Sequence, residues 1–299
     1  MKYQKCKVIS ELCCNHGGDI NIAKEMIKMS KLCGADYVKF QKRNPIKAVP
    51  FDMQNQAHPC PMHSFGETYL EHRQNLEFTI NQHKELKNYC EEVGIGYSSS
   101  VWDEDSALEI ISLNPDFIKV PSAMNENYIL LDTIFNNYKG DVHISLGMIS
   151  FEAKKELYEY FNDKKDRVVI YHTTSGYPVK FEEIYLMEIV KLKKLFKRVG
   201  YSGHHLGIAV DICAYSLGAE WIERHFTLDR TAKGSDHSAS LEPVGLQKLC
   251  RDLNACYKSL TYKDVNFTED EKRNKDKLKI KKIKDSISLK LIKKIKNNS

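Results

Sequence analysis

Two histidines close consecutive apolar runs in the second half of the chain. His204 ends RVGYSGH and His225 lies inside WIERHFTLD. The run Trp221–Leu228 reads as a strand and Leu206–Ala219 as a helix, so the two imidazoles sit at the ends of neighbouring strands of a strand–helix–strand unit. Neutral imidazoles delivered that way can share a divalent cation. The competing reading makes each a histidine satisfied inside a core, but two at matching places argue for the metal. Other ionisable and hydroxyl residues punctuate the apolar runs in the same manner: Glu11 and Asn15 after the first, Lys39 and Gln41 on the second, Ser98–Ser100 on the third, Lys119 and Ser122 at the fourth. Ser145, then His172 to Ser175, then Ser202, then Glu223 and Asp229 continue the series. Two lysines and a ring of hydroxyls suit a small anion bearing phosphate and carboxylate. Histidines and acids beside them suit a metal that polarises a carbonyl.

The elements that must position these residues alternate along the chain. Strands are expected at Lys7–Cys13, Tyr37–Gln41, Gly94–Ser99, Phe117–Val120, Val142–Leu146, Val168–Thr173, Arg198–Ser202 and Trp221–Thr227. Helical periodicity covers Asn21–Cys33, Gln82–Val93, Asp103–Leu113 and Phe181–Lys197, with Gly34, Gly94 and Gly218 at helix ends. Eight such units predict a (β/α)8 barrel over residues 1–262, whose ligand site lies at the carboxyl ends of the strands. A doubly wound open sheet is the alternative, yet no GxGxxG or GxxxxGK[ST] follows any strand. The stretch Lys42–Glu77, rich in Pro, His, Asn and Gln, reads as a long active-site loop.

Composition excludes several classes. The 299 residues, 42% hydrophobic, can bury a sizeable core. No apolar run approaches the length of a membrane span, and the start MKYQKCKVIS enters a strand without a signal core. Nine cysteines without CxxC pairs fit a reducing cytoplasm. The net charge of +5 is concentrated: residues 271–299 hold twelve Lys/Arg and three Asp/Glu, net +9, which leaves −4 for residues 1–270. The body is therefore no nucleic-acid binder by charge. Residues 263–299 form a lysine-rich tail, in which Leu278, Ile280, Ile283, Ile287, Leu291 and Ile295 recur at roughly helical spacing. Such a helix packs one edge on the body or lies on an anionic surface.

ISELCCNHGG, GADYVKFQ, YSSSVWDED, FIKVPS, ISLGM, YHTTSGYP, GYSGHHLG, IERHFTLD and GSDHSASLEP follow one another between Val8 and Leu253. In this order the chain resembles the sialic acid synthase family, including synthases of legionaminic and pseudaminic acids. The resemblance implies a (β/α)8 barrel that condenses phosphoenolpyruvate with an N-acyl amino sugar such as N-acetylmannosamine. It implies a divalent metal, manganese first, with magnesium, cobalt or zinc as alternatives, on His204 and His225. Lys39, Ser100, Lys119, Ser122, Ser145 and Ser202 would hold phosphoenolpyruvate, and Glu11, Tyr177, Glu223 and Asp236 would face the sugar and a metal-bound water. The implied course is attack of the enol carbon on the open-chain aldehyde, addition of water at C2, and loss of phosphate by C–O cleavage.

The chain departs from the family pattern at several positions. It reads SSVWD for STPFD while keeping Ser100, SLGM for STGM at Leu146, and Gly203 where an aspartate commonly precedes the histidine. Ser175 stands where some members carry asparagine, and Tyr185 likewise replaces an asparagine. The resemblance does not extend to the family's C-terminal antifreeze-like domain, which crosses a swapped dimer to place an arginine on the sugar. The expected partners are accordingly phosphoenolpyruvate, an amino sugar, a homodimer mate, and in one reading a separate protein supplying that domain. Otherwise Lys42–Glu77, with Arg43 and Arg73, must close over the sugar. Cys13 is a candidate third metal ligand against the alternative of a small buried apolar residue. His58, Cys60 and His63 are another candidate set, with lid structure as the competing reading. A metal-dependent aldolase or lyase, or a non-catalytic sugar-binding relative, are the functional alternatives.

Overall fold

The computed structural model describes residues 3–278. Residues up to Leu260 form one compact unit and those from Thr261 a second. In the first, eight parallel strands close into a barrel in chain order: β1 Lys7–Glu11, β2 Tyr37–Lys42, β3 Gly96–Val101, β4 Phe117–Val120, β5 Asp141–Ser145, β6 Val168–His172, β7 Val199–Gly203 and β8 Trp221–His225. Their helices are α1 Ile20–Cys33, α2 Pro45–Ala48, α3 Tyr69–Leu76, α4 Ile80–Val93, α5 Glu104–Ser112, α6 Tyr128–Asn137, α7 Phe151–Tyr160, α8 Glu188–Leu195, α9 Ala209–Ser216 and α10 Pro243–Ser259. The barrel expectation is met.

Strand parity explains the interior. Side chains alternate faces along each strand, so residues two apart share one. On the outward parity Val8, Val38, Ile118, Val142 and Ile144 pack against the helices in one large core. On the inward parity, Ile9, Phe117, Val169 and Tyr171 form a separate cluster with Tyr37 and Trp221. The Phe117 and His143 rings stack at 3.9 Å, and Trp221 meets His143 edge-on at 4.6 Å. This aromatic plug closes the barrel floor. Two residues further along the same strands, about 6.6 Å higher, come Glu11, Lys39, Lys119, Ser145, Ser202 and Glu223.

Local signals set the helix starts. Asp19 caps α1 through Asn21 N (2.7 Å) and Ile22 N (3.3 Å), and Gly34 ends it with φ 95°. Thr68 and Glu71 form a capping box that starts α3 inside the long loop. That loop is therefore partly helical, holding α2, α3 and short 3-10 turns between Lys42 and Glu77.

Several boundaries differ from expectation. β1, β6 and β8 stop at Glu11, His172 and His225, short of the expected ends at Cys13, Thr173 and Thr227; beyond two of them, Leu12 and Phe226 are still buried in the outer core. The stretch Phe181–Lys197 is not one helix: a 3-10 turn at Phe181–Glu183 and Tyr185 at φ 51° interrupt it before α8. Leu206–Ala219 shrinks to α9, since Gly207 at φ 77° delays its start. The second unit contains a further helix, α11, over Glu269–Leu278. Thr268 caps it, accepting from Glu271 N at 3.2 Å. The rest of the proposed tail helix, from Ile280 to Ile295, lies outside the described residues. Among the described residues no helix is long and apolar enough to cross a membrane.

Candidate active site

The carboxyl ends of the strands surround a cavity of about 250 Å³. It is lined by Glu11, Cys13, Lys39, Gln41, Ser100, Lys119, Ser122, Ser145, Ser175, Tyr177, Ser202, His204, Glu223, His225 and Asp236. Of the residues that the sequence nominates, Ser98, Ser99, His172, Thr174, Asp229, His58, Cys60 and His63 do not line it, and neither does Asn15. Its side-chain amide is spent on Phe226 O (2.8 Å) and Ser240 Oγ (2.9 Å), tying the loop after β1 to the loop after β8. It builds the wall and does not line the cavity.

At the cavity base two lysines and two carboxyls interlock. Lys39 Nζ is paired with Glu11 Oε2 and donates to Ser100 Oγ at 2.6 Å. Lys119 Nζ donates to Ser145 Oγ and lies 4.9 Å from the Tyr171 ring centroid. Glu223 Oε1 is 3.7 Å from Lys39 Nζ and 3.9 Å from Lys119 Nζ, and accepts from Ser202 Oγ at 3.1 Å. All four ionisable groups are buried, so each proton affinity reflects a contest between desolvation and neighbours. Burial lifts Glu11 to about 7 against the pull of Lys39. Burial works against the Glu223 carboxylate too, but Lys119 and Lys39 outweigh it and hold that acid down at about 2. Burial lowers Lys119 to about 8, only partly offset by Glu223. For Lys39 burial is overcome by Glu11 and Glu223, and its affinity is raised.

Higher in the mouth, Cys13, His225 and Asp236 bring one donor atom each within 4.8 Å of one another. The Cys13 thiol donates to Asp236 Oδ2 at 2.7 Å, and the Gln41 amide donates to Cys13 Sγ at 2.7 Å. His225 Nδ1 is buried without a partner. The His204 ring lies 5.3 Å from that of His225, outside the tight set. His204 Nδ1 faces Thr174 O at 3.1 Å, so it carries the proton and leaves Nε2 with a free lone pair. Burial holds both imidazoles below their ordinary range, His204 at about 3, so they are neutral near pH 7. Neutral imidazoles, an ionised carboxylate and a sulfur are the donors a divalent transition metal takes, and an orphaned buried nitrogen among them fits such an ion. His58, Cys60 and His63 do not join such a set among the described residues: His58 Nδ1 accepts from Cys60 N at 3.0 Å, and His63 Nδ1 from Gly234 N at 3.2 Å.

Two of the family departures, Leu146 and Gly203, are explained by packing. Leu146 is buried in the outer core and not in the cavity, so no hydroxyl is lost from the site. A Cβ at Gly203 would come 2.8 Å from the Tyr201 ring and 2.9 Å from that of His205, leaving no room for an aspartate. Periodicity gave no sign of Arg43, Arg73, Cys14, Trp102 and Ser235 as cavity residues. The two arginines were expected only as part of a long loop that closes over the sugar, and both line the cavity. Arg43 pairs with Glu77 at 2.7 Å and stacks 4.3 Å from Trp102. Arg73, on α3, donates to Tyr69 OH at 2.9 Å and has no carboxylate within 4.0 Å among the described residues.

A closed parallel barrel with its ionisable groups gathered at the carboxyl mouth makes this chain a (β/α)8 enzyme. Residues 26–265 match the model of the NeuB family. The N-acetylneuraminate-9-phosphate synthase of Homo sapiens is 41% identical over 260 residues, covering 85% of this chain and 71% of that one. The N,N'-diacetyllegionaminic acid synthase of Campylobacter jejuni is 32% identical over 275 residues, 91% of this chain and 82% of that one. The crystal structure of an N-acetylneuraminic acid synthetase from Leptospira borgpetersenii, in complex with citrate, superposes with a TM-score of 0.77 at 26% identity, covering 93% and 94% of the two chains. The chain belongs to the NeuB family and is a phosphoenolpyruvate-dependent synthase.

Proposed function

We propose that this enzyme condenses phosphoenolpyruvate with the open-chain aldehyde of an N-acyl amino sugar in a metal-dependent reaction, forming a 2-keto-3-deoxy sugar acid and phosphate. The observation that carries it is the crossing of Lys39 and Lys119, each bound to a strand-end hydroxyl, over one carboxylate oxygen of Glu223. Two buried cations with hydroxyl partners form a preorganised seat for the phosphate and carboxylate of phosphoenolpyruvate. Ser122 and Ser202 extend that seat.

His225 and Asp236 would hold the divalent cation, with His204 beside them. When bound there, it supplies Lewis-acid polarisation of the acceptor's aldehyde oxygen. The π pair of the enol forms the bond from C3 to the aldehyde carbon, and the aldehyde oxygen takes up a proton. Water adds at C2, losing one proton. The bond from C2 to the phosphate oxygen then breaks with its electron pair going to that oxygen, the leaving phosphate takes up a proton, and the hydroxyl at C2 becomes the ketone with loss of a second proton. Glu223, held ionised by both lysines, balances the positive charge that builds at C2. Glu11, the carboxyl whose affinity lies near neutrality, holds or hands on a proton beside it.

The proposed acceptor carries a phosphate on its terminal hydroxyl. Supporting this are the unpaired guanidinium of Arg73 in the cavity wall and the relatives from Homo sapiens and Mus musculus named N-acetylneuraminate-9-phosphate synthases. The free thiols fit a cytoplasmic setting. Manganese is the first candidate metal for turnover. A homodimer, or a second protein that caps the sugar, completes the proposal, and sizing of the active species distinguishes them.

The decisive experiment measures phosphate released from phosphoenolpyruvate with and without the amino sugar phosphate, and again after chelation. Release that depends on sugar and is lost with chelator is expected. Sugar-independent release, or cleavage of a sugar without phosphoenolpyruvate, would point to the aldolase or lyase alternative. Sugar binding without any release would point to a non-catalytic relative.

A further inference from the structure

We infer that the metal centre of this chain is a sulfur-containing one, with Cys13, His225 and Asp236 as its protein ligands and His204 in reserve beside it. The reading rests on the proposed metal-dependent chemistry only for what the ion does, not for what holds it.

Three independent observations converge on one point. The donor atoms of Cys13, His225 and Asp236 already lie within 4.8 Å of one another, the spread that three ligands around one small cation require. His225 Nδ1 has no hydrogen-bond partner although the residue is only 7% exposed. Buried imidazole nitrogens ordinarily find one, so the His225 ring has an unmet bond to make. The outer contacts complete the pattern. Gln41 donates to Cys13 Sγ at 2.7 Å, a bond that persists to a thiolate, and Ser235 Oγ donates to Asp236 Oδ1 at 2.8 Å, turning Oδ2 towards the sulfur. Partners of this kind aim ligands and strengthen their donation.

The Cys13–Asp236 hydrogen bond marks where the ion goes. The Cys13 thiol directs its proton at Asp236 Oδ2. A cation entering between Sγ and Oδ2 takes the place of the thiol proton, which leaves for solvent, and the sulfur becomes a thiolate ligand. Backbone geometry supports the role: Cys13 sits at φ 49°, a left-handed conformation that side chains other than glycine seldom adopt. That bend turns Sγ to Asp236, which is 223 residues away in sequence. A sulfur ligand shifts the preference from hard cations towards zinc, cobalt and cadmium.

Cobalt(II) added to the chelator-stripped full chain reads the ligands without turnover. One equivalent should give a sulfur-to-cobalt charge-transfer band in the near ultraviolet. Cys13→Ala and Cys13→Ser should lose that band, and Cys14→Ala should keep it. Cadmium affinity, by calorimetry, should fall at least about tenfold in Cys13→Ser, with a smaller change for manganese. Circular dichroism checks each fold, and the near-isosteric serine variant covers the case in which alanine unfolds. Stoichiometric cobalt binding to the wild-type chain without the band, or a band that survives both Cys13 variants, overturns the inference. A protein that shows the band yet never releases phosphate would instead count against the proposed function and leave the site standing.

Discussion

Lys119 on β4 reaches within 3.9 Å of Glu223 Oε1 on β8, the strand diametrically opposite in the closed barrel. Burial and this single ionic partner leave the lysine at about 8. It is cationic below that pH and neutral above it. Binding of phosphoenolpyruvate that depends on the charge is therefore complete below pH 8 and declines above it. The Michaelis constant for phosphoenolpyruvate should rise by up to about tenfold per unit above pH 8. Lys119→Arg, always protonated, should abolish the rise even if turnover is lower. A flat wild-type profile through about pH 9.5 would remove Lys119 from the anion seat.

Lys39 differs, because Glu11 and Glu223 together raise its affinity. Lys39→Met should raise the Michaelis constant for phosphoenolpyruvate by one to two decades, the loss of a charge-assisted contact costing about 1.5–3 kcal/mol. The constant for the sugar should change by less than about threefold. Equal effects on both substrates would mean that the lysine shapes the cavity and does not hold the anion.

What the sequence revealed, and what it hid, follows from distance along the chain. The barrel was legible because each strand carries its own apolar run and each helix its own stops, such as Gly34 and Gly94. The residues at strand ends were legible for the same reason: parity and position alone put Glu11, Lys39, Lys119 and Glu223 in one layer. Cys13 was legible only as one of two readings, metal ligand or small buried residue, until Asp236 is seen beside it. Arg73 was named as a residue that closes over the sugar, but the helix α3 that carries it was hidden, because it lies inside a segment with the composition of a loop. The break at Tyr185 hid within a periodic stretch, where a left-handed residue leaves no mark on the pattern. Asn15 was placed in the binding set by its neighbourhood, whereas its amide serves the backbone of the eighth loop.

His204→Ala and His225→Ala bear on the metal from opposite sides. His225 belongs to the tight donor set and His204 does not. Both variants should stop turnover and keep a wild-type circular dichroism spectrum. His225→Ala should lower metal content at equilibrium more than His204→Ala does, by at least about tenfold in affinity. Full activity in either alanine variant would refute its part in the centre. Equal losses of metal would place His204 in the first coordination sphere.

Gly18 connects the first loop to the long one. It adopts φ 82°, and a Cβ there would sit 2.1 Å from the carbonyl oxygen of Asn75 in α3. Gly18→Ala should cost at least the 1–2 kcal/mol or so of a left-handed alanine, seen as a lower melting temperature. Because α3 carries Arg73, the variant should also weaken sugar binding more than phosphoenolpyruvate binding. An unchanged sugar constant in a destabilised variant would show that α3 is anchored elsewhere.

Arg73 provides the test of the acceptor. Its guanidinium lines the cavity, held by Tyr69 OH at 2.9 Å, with no carboxylate within 4.0 Å among the described residues. Lys233, 4.8 Å from the Phe65 ring centroid, brings a second exposed cation to the neighbouring loop. An amino sugar without charge gives neither cation a partner, whereas a terminal phosphate can accept two parallel N–H bonds from the arginine. The wild-type chain should therefore use N-acetylmannosamine 6-phosphate at least about tenfold better than N-acetylmannosamine, in kcat/KM. Arg73→Met should erase most of that preference by losing one charge-assisted contact, about 1.5–3 kcal/mol, and Arg73→Lys should retain part of it. Turnover of the uncharged sugar should hardly change between wild type and Arg73→Met, because the arginine makes no contact that the uncharged sugar needs. If the phosphorylated and free sugars react equally in the wild-type chain, Arg73 has another purpose and the acceptor is an uncharged sugar.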